Sequence, residues 1–226
     1  MTRHLPLATA LLFALSTLLA APSGAQDPLS EQDRLSHAER ADIARIQGSQ
    51  TAATWFVIVG DLAGEQDRAF EHDVWPMIDS LFVRPGRLRV AWVNLPDDAS
   101  KASQIAAEVV ACSSADRKFW SPHQLILWEQ PRWLHLPDPT DMLVRLAAQR
   151  GARMSLILEC LDKHWMRSFL QADIARARRA GVRKAPGYIL GNTVLAGVRT
   201  SEEFRSAIER ALPRQTPPQR RPAPAK

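Results

Sequence analysis

Two short apolar runs on either side of a helical stretch constrain this chain more than any other feature. Trp55 to Val59 is wholly apolar and contains β-branched residues, and Leu88 to Leu95 is a second such run that stops at Pro96. Runs of this length and composition predict buried strands. Between them, 65–83 carries Phe70, Val74, Met77, Ile78 and Leu81 at helical spacing, with Pro76 inside it as a kink. Pro85-Gly86 supplies the turn into the second run. Strand, helix, strand in that order predicts an α/β domain.

The flanks extend this plan. Residues 29–46 are polar with apolar Leu35, Ala38, Ala41 and Ile46, which predicts a modest amphipathic helix, and 48–53 reads as a turn-rich break. From 100 to 180 the chain becomes mainly helical, broken by a loop around Pro131 to Pro139. Ile105, Val109 and Cys112 share one helix face there, and Leu143, Leu146 and Ala147 another. Tyr188 to Leu190 and Thr193 to Ala196 then flank Gly191-Asn192, a two-residue hairpin signal with glycine first, as a type II′ turn prefers. Thr200 and Glu203 form a capping box, and Phe204, Ala207, Ile208 and Leu212 give the last helix one apolar face. The element order is that of a thioredoxin-like fold carrying an inserted helical subdomain of about eighty residues. The expected organisation is a helix over 26–46, a domain over 47–212 with the insertion at about 99–180, and a disordered Pro-rich tail over 213–226.

Arg3 and His4 precede an apolar run from Leu5 to Ala21, followed by Ser23-Gly24-Ala25. This pattern predicts a signal peptide over 1–25, and the run falls short of the ~20 residues a membrane span needs. The mature chain is therefore expected in the periplasm, with no integral membrane segment left after cleavage. Arg214, Arg220, Arg221 and Lys226 lie in the tail. Without them and Arg3, the 29 basic residues fall to 24, equal to the 24 acidic ones. The positive net charge thus belongs to a tail, and the body offers no basic face for nucleic acid.

Four segments carry a more specific resemblance. Phe70-Glu71-His72-Asp73-Val74-Trp75-Pro76, the stretch from Ala107 to Trp120 with Cys112 and Lys118-Phe119-Trp120, Glu159-Cys160-Leu161-Asp162, and Gly181 to Pro186 stand in the order and spacing of the DsbA-like family. The chain resembles those periplasmic thiol-disulfide oxidoreductases from about Arg45 to Leu212. Counting back from Phe70 sets the family's Cys-x-x-Cys on Gly64-Glu65-Gln66-Asp67, where neither cysteine is present. Disulfide exchange needs a thiolate, normally at a helix start where the dipole lowers the thiol pKa. Glu65 and Asp67 favour a helix start but cannot attack a disulfide. Asp61, Glu65, Asp67, Glu71, His72 and Asp73 make this neighbourhood acidic. Solvated, dipole-favoured carboxylates explain that better than a metal site, and no metal or cofactor is implied.

Cys112 and Cys160 are the only cysteines. Three readings compete: a structural disulfide, two buried thiols, or a relocated redox pair. The even count and an oxidising compartment favour the disulfide. The resemblance further implies that Pro186 is cis and that the chain before it, Lys184 and Ala185, pairs with a bound peptide beside a groove of Leu62, Ala63, Val182 and Pro186. Of the seven tryptophans, Trp133 lies between Pro131 and Pro137 and is the candidate for an exposed contact, while Trp55, Trp75, Trp92, Trp120, Trp128 and Trp165 read as core.

The function these readings favour is a redox-inactive DsbA-like protein that binds an unfolded polypeptide or periplasmic protein partner, with a chaperone or assembly role rather than an enzymatic one. The alternatives are an oxidoreductase or isomerase working through Cys112 and Cys160, and a glutathione-dependent transferase on the same fold.

Overall fold

The computed structural model describes residues 36–196 and 200–213. The segment expected to be a signal peptide lies outside the described residues, as do 26–35 and the tail beyond Pro213. Five strands form one sheet in the order β1-β3-β2-β4-β5. Strands β2 (Thr54–Gly60) and β3 (Leu88–Asn94) pair in parallel, from Thr54 opposite Leu88 to Gly60 opposite Asn94. Both are buried along most of their length, so neither shows the alternation of a half-exposed strand. On the other side of β2, β4 (Gly187–Leu190) runs antiparallel to it, with Gly187 opposite Val59, and β5 (Thr193–Ala196) completes a hairpin. Gly191, at φ 56°, opens the two-residue turn between them.

The N-terminal helix ends earlier than its sequence pattern predicts. Helix α1 (His37–Ala44) starts at a Ser36 capping box and ends before Ile46. Ile46–Gly48 is instead an edge strand, β1, antiparallel to β3 with Ile46 opposite Ala91. Gly48 ends this strand: its φ of 93° and its closeness to the Leu88 carbonyl leave no space for a Cβ. Arg45, between the two elements, donates to Asp42, to Asp173 at 2.6 Å and to the Trp92 carbonyl at 3.2 Å.

The helix after β2, α2, runs over 65–83 in four joined pieces. Two of them, Phe70–Val74 and Asp79–Val83, are π turns on either side of Trp75–Ile78. Pro76 has no N–H to donate to the preceding turn, and the wider turn before it accommodates that loss. The insertion comprises α3 (Lys101–Ala115), α4 (Trp120–Trp128), α5 (Gln130–Trp133), α6 (Thr140–Gln149), α7 (Met154–Asp162) and α8 (Arg167–Arg179). The predicted loop around Pro131 is therefore partly helical, since proline fits the first turn of a helix. Cys112 on α3 and Cys160 on α7 form a disulfide with Cα atoms 5.7 Å apart, and both residues are fully buried. The last helix, α9 (Ser201–Ala211), starts at the Thr200–Glu203 capping box and buries Phe204 and Ile208.

The tryptophans contain one reversal. Trp133 is fully buried and donates Nε1 to the Ile126 carbonyl at 2.8 Å, whereas Trp128 is 43% exposed. Proline neighbours suggested a loop, but they start a helical turn that packs Trp133 inward. Asp173 on α8 ties the insertion to β3, accepting from the Asn94 backbone and side chain at 3.1 and 2.8 Å and from Arg45 and Arg176.

Candidate functional site

Strands β2 and β4 end beside one another, and everything of chemical interest lies at that end of the sheet. The Ala185–Pro186 bond is cis and leads directly into Gly187, which faces Val59 across the ladder. From Gly60 the chain turns through Asp61, Leu62 and Ala63 to Gly64, the N-cap of α2. Gly64 has no side chain to cap the helix, and its carbonyl accepts the first helical bond from Arg68 at 3.1 Å. The turn is held from both sides. Asp61 accepts from the Ala63 N–H at 2.9 Å and the Ser103 hydroxyl at 2.6 Å, which fixes the loop to α3. The Gln130 amide donates to the Leu62 and Gly64 carbonyls at 2.9 and 3.0 Å, which fixes it to α5.

The acidic residues around the helix start are mostly not solvated, contrary to the sequence expectation. Glu65, His72 and Asp73 are exposed, and His72 and Asp73 pair at 2.7 Å. Asp61, Asp67 and Glu71 are buried. Asp67 is 2% exposed, and neither carboxyl oxygen has a hydrogen-bond partner. Two glycines make its place: a Cβ at Gly64 would overlap Asp67 Oδ2, and a Cβ at Gly60 would lie 2.6 Å from Asp67 Oδ1 and inside the Trp92 ring. Burial, reinforced by the Asp61 charge, holds the Asp67 carboxyl well above the ordinary carboxylate range. A shift toward the neutral acid weakens the dipole benefit expected of Asp67.

One turn further along, Glu71 accepts from Gln124 of α4 at 2.7 Å, and burial raises its pKa to about 7. His123, the residue before Gln124, lies edge-on to Trp92 at 4.2 Å and stacked on Phe119 at 5.1 Å. Neither ring nitrogen has a partner, and burial lowers its pKa to about 3. Among the described residues, no group of three or more His, Cys, Asp or Glu is arranged to hold a metal ion.

The expected groove is only partly a surface. Leu62, Val182 and Pro186 are buried, leaving Ala63 and Ala185 half-buried and Lys184 exposed at the cis-proline end. A cavity of about 280 Å³ instead opens on the other flank of α2, lined by Gln66, Phe70, Val74, Tyr188, Thr200 and Ser201 among others. Sequence reasoning missed it because it forms between α2, β4 and the start of α9. It also missed Gln130, whose contacts span 66 and 68 residues. His123 did leave a signal, as a lone imidazole in an otherwise apolar helical run.

A sequence model of the thioredoxin family matches residues 41–210, three quarters of the chain. The chain belongs to the thioredoxin family. Within it, the chain is similar to disulfide bond formation protein D of Bacillus subtilis, at 22% identity over 170 residues, 74% of this chain and 76% of that one. The crystal structure of that organism's BdbD in oxidised form superposes with a TM-score of 0.68 at 22% identity, covering 74% of this chain and 91% of BdbD. Wolbachia pipientis α-DsbA1 gives 0.63 at 17% identity (74% and 89% covered), and Chlamydia trachomatis DsbA gives 0.62 at 17% (74% and 88% covered). This thioredoxin-family chain therefore has the DsbA-like fold, with its helical insertion. Among the described residues, no helix is long and apolar enough to cross a membrane.

Proposed function

We propose that this protein is a DsbA-like member of the thioredoxin family that has given up thiol chemistry and binds a polypeptide or protein partner outside the cytoplasm, in a chaperone or assembly role. The observation that carries this reading is the helix start itself. Gly64 stands at the N-cap and the buried Asp67 carboxyl stands three residues on, at the two positions where the family resemblance implies cysteines. A carboxyl group, charged or neutral, neither attacks a disulfide nor resolves a mixed one. The two cysteines that the chain does possess are bonded to each other and fully buried in the insertion, so no thiol is presented to a substrate.

The recognition surface in this reading is the cis-proline end of the sheet. Lys184 is exposed and Ala185 half-buried there, and their backbone groups could pair with an extended peptide without any thiol. The apolar cavity beside Gln66 and Phe70 is suited to a side chain of the same ligand. Insulin reduction and dithiol oxidation assays test the redox half. The expected result is no turnover above that of buffer, and turnover lost on Cys112→Ala would instead favour the relocated redox pair. Capture of a polypeptide from periplasmic extract by the immobilised protein, weakened by Lys184→Glu, tests the binding half.

A further inference from the structure

Asp67 is a buried acid without a hydrogen-bond partner, and the structure shows what holds it in place. Its oxygens lie against Gly60 and Gly64, between Trp92 and the start of α2. The titratable groups facing it are Asp61 from the loop and Tyr188 from β4. β3 presents the uncharged Trp92, and the charged neighbours along its own helix are Glu65, Arg68 and Glu71. No positively charged side chain is among the groups acting on it. The donors acting on an ionised Asp67 are the backbone N–H groups of Asp61 and of Asp67 itself, neither of which makes a hydrogen bond to its carboxyl oxygens, and burying an unpaired carboxylate is costly.

We propose that Asp67 is a proton-operated catch on the helix start. As the neutral acid it stays under Gly64 and the 61–67 turn stays closed against Gln130. When its proton passes to bulk water, the unpaired carboxylate leaves its buried place and the turn opens. The device occupies the positions that the family resemblance gives to a thiol pair, and it runs on a proton, with no electrons exchanged. It does not depend on what the protein binds.

The experiment follows the Asp67 carboxyl carbon by NMR across pH in the full chain and measures amide exchange over residues 64–68. Asp67 is expected to titrate well above the usual value of about 3.9. With the same midpoint, exchange should rise at least about tenfold beyond the intrinsic base-catalysed increase. Asp67→Asn should show no step, and Asp67→Ser serves if the amide variant does not fold. Glu71→Gln, which removes the neighbouring titration, should keep the step. Titration of Asp67 in the ordinary carboxylate range, a step that persists in both Asp67 variants, or one that disappears with Glu71→Gln would each overturn the proposal.

Discussion

The contact between Gly64 and Asp67 can be tested as a coupled pair. Gly64 has φ −75° and ψ 124°, a conformation open to any residue, so Gly64→Ala carries no backbone strain. By itself such a change stabilises by about 0.4–1 kcal/mol, because the unfolded chain loses freedom. Here the new Cβ would fall well inside 3.0 Å of Asp67 Oδ2, a separation that real Cβ atoms essentially never show. Overpacking of this kind costs roughly 1–3 kcal/mol, so the net effect is a loss of about 1–2 kcal/mol. Once Asp67→Ala has removed the carboxyl, the same Gly64→Ala change should stabilise. The contact of a residue-64 Cβ with the Asp61 carbonyl, at 3.1 Å, is common to both backgrounds and cancels. The coupling energy should therefore be about 1.5–3 kcal/mol, read from urea denaturation of the two single variants, the double variant and the parent. In a domain of this size Gly64→Ala alone should lower Tm by roughly 3–6 °C. Additivity within about 0.5 kcal/mol would refute the placement of Asp67 beneath Gly64.

Three further predictions follow from the same geometry. Gly64→Cys with Asp67→Cys should form a reducible disulfide under mild oxidation and gain weak dithiol oxidase activity, detected by a fluorescent dithiol substrate, while Gly64→Cys alone should be unstable against Asp67. Stability should depend on pH through groups shifted in opposite senses, Asp67 and Glu71 upward and His123 downward. Glu71, at about 7 in the fold against an ordinary 4.5, contributes stability that is full below 4.5 and lost as pH rises to about 7, worth about 3 kcal/mol. His123, at about 3 against 6.5, contributes stability that is full above 6.5 and lost as pH falls. Glu71→Gln should thus flatten denaturation midpoints between pH 4.5 and about 7, and His123→Leu between pH 6.5 and about 3. An unchanged pH profile in either variant would contradict its burial. Unfolded, unreduced protein should show no free sulfhydryl in a thiol titration, and Cys112→Ala with Cys160→Ala should cost about 2–5 kcal/mol.

The fold was legible where periodicity is local. The apolar runs at 55–59 and 88–95, the Gly191-Asn192 hairpin and the Thr200 capping box each announce their structure within a few residues. Edge strand β1 was not legible, because three residues joined to β3 by sheet pairing carry no period of their own. The site was half legible. The identities of Gly64 and Asp67 could be read directly, but the burial of Asp67 depends on Gly60, Trp92 and Tyr188, which come from three strands. Reading a run of acids as a solvated helix start failed for the same reason. Charge pattern along one segment says nothing about what the next layer covers, and here the insertion supplies Ser103, Gln124 and Gln130 to hold that segment inward.

The bond between α3 and α7 also sets a condition on how the molecule matures. Closing Cys112 onto Cys160 removes two electrons and two protons from the chain, and the sequence contains no third cysteine to take them up. The acceptor must therefore be another molecule, and it must act before the insertion closes, since both sulfurs belong to fully buried residues in the finished fold. A chain with the architecture of a disulfide donor is thus, in its own biogenesis, a customer for one. Its yield of correctly folded molecules should follow the supply of oxidant during folding more closely than the stability of the finished domain.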